Sequence, residues 1–324
     1  MRINFLHILF SLFSTLVFSQ KLEYQSIVLP ETLTANANAI IKNHEVNITL
    51  KAQNLMEVKG KRVVTVLNKA GNRHVGAYLH YSPNIKVKSI EALVFDTTGS
   101  EIKKIKRKDF RDMSAVSDGS IYEDDRVLFM EYTPVSYPYT VEFVYELHTD
   151  NTAFIPNWRP IQDYYLSTGY SSITINDLVG LGLKVKELNF QDYPIVNESS
   201  GTILKYNVAN LPSLKPEEYS PSLTDIAPRL MVSASTFNLE GVAGQAHDWK
   251  TMGKWMYEEL IKGHDEVSPQ TQYEVLKLVQ DIKDPIEKTK KIYQYVQNNT
   301  RYISVQVGIG GWEPINAASV DNTK

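Results

Sequence analysis

The residues with the most chemical potential sit together in the stretch RYISVQVGIGGWEP, residues 301–314. Gln306 carries an amide that can donate a hydrogen bond to an oxygen developing negative charge. Gly310 and Gly311 lack a Cβ and so permit a backbone to approach a ligand closely; a tight turn without a ligand is the competing reading. Trp312 offers an aromatic platform for a substrate or, alternatively, a cap on the core. These four residues are the candidates for lining a substrate cleft. Strand alternation puts Gln306 on the same face as Tyr302 and Ser304, and nothing in the sequence ties that face to a cleft. A phosphate-cradling role does not fit. Such a loop opens directly into a helix whose N–H groups face the phosphate, and here Trp312-Glu313-Pro314 follows instead.

Other chemistry is excluded by composition. The chain contains no cysteine, so it has no thiolate nucleophile, no disulfide and no thiolate metal ligand. No Gly-x-Ser-x-Gly elbow is present. The seven histidines show no metal-ligand spacing, His74 and His80 being six residues apart. His247-Asp248 before Trp249 reads as a helix N-cap rather than a catalytic pair. No catalytic residue, metal or cofactor is assigned. The run Lys103-Lys104…Lys106-Arg107-Lys108 reads as a solvated strand edge, where lysines block edge-to-edge pairing; binding to an acidic glycan or lipid head group is the minor alternative. A net charge of −3 gives no electrostatic reason to bind nucleic acid or an anionic membrane.

The elements that must position these residues fall into two classes. From Leu22 to about Asn238 the pattern is strand-like, as in Val46, Ile48 and Leu50 or Val141, Phe143, Tyr145 and Leu147. Many short strands with turns such as Lys69-Ala70-Gly71-Asn72 between them predict an antiparallel β-sandwich. Leu211 to Pro228 holds four prolines and reads as a linker or crossing loop. Beyond Gly244 the period becomes helical. Trp249, Met252, Met256 and Leu260 are expected on the apolar face of a first helix. Ser268-Pro269 opens a second helix, with Tyr273, Leu276, Val279 and Ile282 as its stripe. Asp284 opens a third, with Glu287 expected to reach back in a capping box. Arg301–Val307 reads as a strand. The expected domains are therefore 1–19 (a signal peptide), 20–238 (β-sandwich) and 239–324 (helix-rich).

The signal-peptide assignment rests on Arg2, the short apolar run Phe5–Phe18 and Val17-Phe18-Ser19 before a cleavage expected ahead of Gln20. The run is too short to span a bilayer, which takes roughly 20 apolar residues. No cysteine follows it, so the expected product is a periplasmic or secreted protein and not a lipoprotein.

DPIEKTKKIYQYVQNNTRYISVQVGIGGWEP, residues 284–314, resembles the entry to a bacterial transglutaminase-like, papain-fold core. More weakly, Asn68-Lys69-Ala70-Gly71, Ile121-Tyr122-Glu123-Asp124-Asp125-Arg126 and the Trp158–Pro160 region resemble the β-rich domain of unknown function that often precedes such cores in exported bacterial proteins. The resemblance implies a mainly β sandwich followed by an incomplete α+β core. It also implies relatives that attack amide bonds of protein or peptide substrates through a Cys-His-Asp triad. In such enzymes the cysteine would come just after Val320, so this chain is expected to stop short of the nucleophile and to be inactive alone. The rival reading is a non-enzymatic module whose β-sandwich binds a cell-envelope protein or glycan. The sequence does not set the oligomeric state.

Overall fold

The computed structural model describes residues 23–115, 122–302, 305–306 and 308–323. The expected signal peptide lies outside them. In chain order the first strands are β1 (Ala39–Ala52), β2 (Leu55–Val66), β3 (Tyr78–Tyr81), β4 (Ile85–Phe95), β5 (Glu101–Lys106), β6 (Arg111–Ser114), β7 (Tyr122–Glu123), β8 (Arg126–Phe129) and β9 (Tyr139–Thr149). They are followed by β10 (Leu166–Asp177), β11 (Leu183–Leu188), β12 (Val196–Asn197), β13 (Ile203–Leu211), β14 (Arg229–Ala234), β15 (Thr236–Leu239), β16 (Val242–Gln245) and β17 (Val305–Gln306). The helices are α1 (Glu31–Thr34), α2 (Leu223–Ile226), α3 (Trp249–Met256), α4 (Pro269–Val279), α5 (Pro285–Asn299) and α6 (Ala317–Asn322).

One eight-stranded sheet dominates, in the order β12-β13-β10-β1-β2-β9-β4-β5. The expectation of a β-rich domain holds, but the sandwich takes an unequal form. The layer opposite the large sheet is built from small sheets and loops, including β11–β14 and β3–β8–β6. Nor is the sheet purely antiparallel, because β1 and β10 run parallel at its centre. Lys103, Lys104 and Lys106 of the basic run lie in β5, an edge strand, as lysines lead one to expect, and Arg107 and Lys108 lie in the 3-10 turn after it.

Three cross-strand rows on one face of the large sheet show how that face is buried. Register aligns Thr168, Ile41, Val64, Val141 and Val94 in the first. Ser171, His44, Arg62, Phe143 and Ala92 form the second, and Ile175, Ile48, Val58, Leu147 and Val87 the third. Strand alternation alone would not keep Ile41 and His44 on one face; a β-bulge between Ile41 and Asn43 does. The aliphatic residues of the first row belong to one hydrophobic cluster, and Ile175, Ile48 and Val58 of the third to another. Ser171, His44 and Arg62 of the second row form a polar seam between them, while Phe143 and Ala92 join the first cluster.

Thr236–Leu239 and Val242–Gln245 pair as a hairpin that straddles the boundary expected at residue 238. Phe237 and Leu239 join Trp255 and Leu260 in a third, small cluster. Trp255 donates its indole N–H to the Ala243 carbonyl at 2.9 Å and meets Phe237 edge-on. Trp249, expected on this face, is instead 92% exposed. Asp248 caps α3 as expected, accepting from Thr251 N at 2.7 Å.

Ser268 and Asp284 cap α4 and α5, each with a proline following. The expected capping box of α5 does not form, because Glu287 pairs with Lys290 at 2.7 Å. The apolar stripes are only partly covered: Val279 of α4 is buried, but the rest stay largely open. Tyr273 and Leu276 of α4, and Ile286, Tyr293 and Val296 of α5, are exposed, and α5 buries no residue. Among the described residues no helix is long and apolar enough to cross a membrane.

Candidate functional site

Gln306 lies in β17, where it pairs in register with Glu123 of β7. Of the strand expected over 301–307, Val305–Gln306 forms, whereas the described Arg301 and Tyr302 are not in a strand. The glycines occupy a tight 3-10 turn, Gly308–Gly311, which favours the turn reading. Trp312 is 38% exposed and stacks at a tilt on Phe154, with ring centroids 5.5 Å apart. Phe154 is itself exposed, so the pair forms a surface aromatic contact and not a deep cap.

Beyond Trp312 the chain is tied to the α3–α4 connection. His264 Nδ1 lies 2.9 Å from the Pro314 carbonyl, which fixes the proton on Nδ1, and its Nε2 faces Glu313 at 3.4 Å. Asp321 accepts from Ser268 N at 3.1 Å and from the Thr271 hydroxyl at 2.6 Å. These contacts anchor the Gly-Trp turn to α4, with no thiol among them. His264 and Glu313 lie 49 positions apart in the numbering, and no local pattern predicts their meeting.

A polar pocket partly open to solvent lies elsewhere, at the seam of the large sheet. It is a cavity of about 320 Å³ lined by residues that include His44, Arg62, His74, Tyr78, Tyr145 and Gln162. Arg62 is buried, at 8% exposure. Its Nε donates to Val75 O at 3.2 Å, Nη2 to His74 O at 3.1 Å and Nη1 to Gln162 Oε1 at 2.7 Å. Among the described residues no carboxylate lies within ion-pair distance of it. Burial pulls its pKa down to about 10, so it remains a cation at neutral pH.

The neighbours are ordered by that cation. Arginine only donates, so Gln162 must turn its oxygen to Arg62 and its NH₂ to His44 Nδ1, 3.2 Å away. His44 therefore accepts at Nδ1 and carries its proton on Nε2. Burial, and then the Arg62 charge, lower its pKa to about 3. Trp158 supports the same row by donating to Ser171 Oγ at 2.8 Å. At the rim, Asp163 faces His74 Nδ1 at 3.4 Å and Arg73 at 3.5 Å. Burial holds the His74 ring below its usual pKa. Two glycines make room. A Cβ on Gly76, whose φ is +64°, would meet Arg62 Nε at 2.9 Å, and one on Gly60 would meet the Tyr145 ring at 2.2 Å. The sequence reading passed over this site. The signal was present, since His44 and Arg62 continue the even-numbered apolar register of their strands.

A second grouping comes from cross-strand register. Glu57, Glu146 and His148 place ligand atoms within 4.8 Å of one another. Lys51 already pairs with Glu57 at 2.6 Å and Lys59 with Glu146 at 3.5 Å, so a metal ion would have to displace both.

A mainly β domain with a buried polar seam is thus the class of protein in hand. The chain belongs to the family described as "Domain of Unknown Function with solved-structure structure (DUF3857)", whose profile matches residues 52–215. No curated protein matches the chain in sequence. Among solved structures, a Parabacteroides distasonis protein provisionally named a protease aligns with a TM-score of 0.60 at 16% identity, over 88% of this chain and 55% of its own. That likeness shows the fold, and this chain spans about half the length of that protein. Native yeast LTA4 hydrolase aligns over 78% of this chain and 38% of its own at 9% identity and a TM-score of 0.29. A Legionella pneumophila protein provisionally named as nutrient-binding aligns over 82% and 95% at 10% identity and 0.28. Neither of the last two likenesses bears on function.

Proposed function

We propose that this chain is a β-domain scaffold carrying the entry segment of a transglutaminase-like core, and that it does not itself cleave or transfer amides. In this reading the Cys-His-Asp chemistry is supplied by sequence outside the 324 residues. The observation that carries it is the open apolar stripe of α4 and α5. Two capped helices leave Tyr273, Leu276, Ile286, Tyr293 and Val296 exposed, large apolar side chains that a stable domain normally covers. The order helix, helix, strand, glycine turn and anchored α6 supports the same reading, as does the greater length of the Parabacteroides distasonis protein. Lack of any thiol rules out cysteine-based amide attack by these residues. From Arg2 and the apolar run after it, we further propose export to the periplasm or beyond, with residues 1–19 removed.

The test uses the product that the gene makes in its own cells. A product heavier than 36.9 kDa, labelled by iodoacetamide and active on peptide amides, is the expected result. A thiol-free product of this size whose α4–α5 amides exchange as slowly as those of β1 would overturn the reading. That outcome would favour a binding module. Mass spectrometry of the mature N-terminus checks export, and an intact Met1 in the cell envelope would refute it.

A further inference from the structure

We propose that the cavity at the polar seam is a binding site for a small organic monocarboxylate, with the Arg62 guanidinium as its counter-charge. The proposal goes beyond the amide chemistry discussed above and stands independently of it. A buried cation normally has a buried anion beside it, because desolvating a lone charge is costly. Arg62 has three neutral oxygens instead, from Val75, His74 and Gln162. A guanidinium has five N–H groups. Three are used, and one on each terminal nitrogen has no acceptor among the described residues. Two N–H groups from one fork match the two oxygens of a carboxylate.

The surroundings select the ligand's charge and body. His44 is neutral, and Asp163 at the rim is already paired with Arg73 and His74. Lys61 also borders the cavity, but Glu23 and Glu142 neutralise it. The one cation here without a carboxylate partner is therefore Arg62, which suits a monoanion and leaves a dianion such as phosphate undercompensated. Tyr78, Leu79, Phe143 and Tyr145 line the remainder with largely apolar surface. The Tyr145 hydroxyl has no hydrogen-bond partner among the described residues and gives one further donor. A cavity of about 320 Å³ is at the small end of ligand pockets, the size of one amino acid derivative. Gly60 and Gly76 keep the space open, since a Cβ at either would collide with Tyr145 or Arg62.

The test is titration of the full chain, with arginine side chains ¹⁵N-labelled, using N-acetyl-L-phenylalanine and its uncharged amide up to millimolar concentration. The pair differs at the carboxylate alone. The acid should shift the Arg62 Nε–H resonance saturably, and the amide should bind roughly tenfold to hundredfold more weakly, as expected for a charge-assisted hydrogen bond. Arg62→Met should remove the response to the acid. Because that variant can fail to fold, the acid–amide contrast on the unaltered chain decides by itself. No shift with either compound, equal binding of both, or undiminished binding by a folded Arg62→Met variant would each overturn the proposal.

Discussion

His44 and Arg62 face each other across the β1–β2 ladder, and both point into the buried side of the sheet between its two hydrophobic clusters. The imidazole is held neutral by burial and by the guanidinium beside it, and this makes the fold sensitive to acid in a definite direction. The unfolded chain protonates His44 near its ordinary value of 6.5, whereas the folded chain does so only near 3. Between those values the unfolded state binds more protons, so stability falls as pH drops through this window. Between pH 6.5 and 5 the loss should be roughly 2 kcal/mol. His44→Gln keeps a hydrogen-bonding side chain without a titrating ring and should flatten that slope. Urea midpoints of both proteins across the range check it; an unchanged slope would place the acid sensitivity elsewhere, with His74 the next group to examine.

Gly60 is expected to be irreplaceable because of Tyr145. Its would-be Cβ sits 2.2 Å from the ring's Cε1, in the middle of a paired strand that cannot easily shift. Gly60→Ala should cost about 1–3 kcal/mol. Removing the ring as well, in Gly60→Ala with Tyr145→Ala, should cost less than the two single changes summed. A double-mutant cycle from denaturant unfolding measures this.

The two tryptophans of α3 should behave oppositely. Trp255 fills the third cluster and satisfies the Ala243 carbonyl, so Trp255→Ala should destabilise by about 3–5 kcal/mol. Trp249 lies in solvent, and Trp249→Ala should change stability by less than about 0.5 kcal/mol. Thermal or urea unfolding of the two variants distinguishes them, and a reversed order would mean the helix is rotated about its axis.

Local stability should be uneven. The α5 helix buries no side chain, whereas β1, β2 and β9 carry the core. Amide exchange is expected to be fast over Pro269–Asn299 and slow in those strands. Limited proteolysis should cut first after Gly263 and leave the β-domain intact. Uniform protection with one cooperative melt would contradict this, and would show that the helices are integral to a single unit.

Much of the fold was legible because one buried face imposes period two. The alternation in Val46, Ile48 and Leu50 or in Val141, Phe143 and Tyr145 marks β1 and β9 correctly. Caps at Ser268, Asp248 and Asp284 were equally readable, since each depends on a side chain and an N–H two or three residues on. What depends on distant partners was not. The parallel pairing of β1 with β10 joins segments more than a hundred residues apart, and nothing local encodes it. The helical pattern placed Trp249 on the packed face, but Trp255 wins because the β15–β16 hairpin stands over that side. Arg62 next to Lys61 looks like a pair of solvated cations. Both border the same cavity, but Lys61 is paired with Glu23 and Glu142, whereas Arg62 is buried without a carboxylate partner.

The parallel β1–β10 pair also has a consequence for synthesis. As the chain leaves the ribosome, β1 and β2 can close a hairpin at once, being only two residues apart. The other edge of β1 must wait until Leu166–Asp177 has emerged, more than a hundred residues later. During that interval a long strand with one apolar face presents unpaired N–H and C=O groups, the surface on which nascent chains pair with one another. The non-local contact also slows the search for the native arrangement. Released fragments ending before Leu166 should therefore aggregate, whereas fragments that include Asp177 and the β13 strand beside it should stay dispersed.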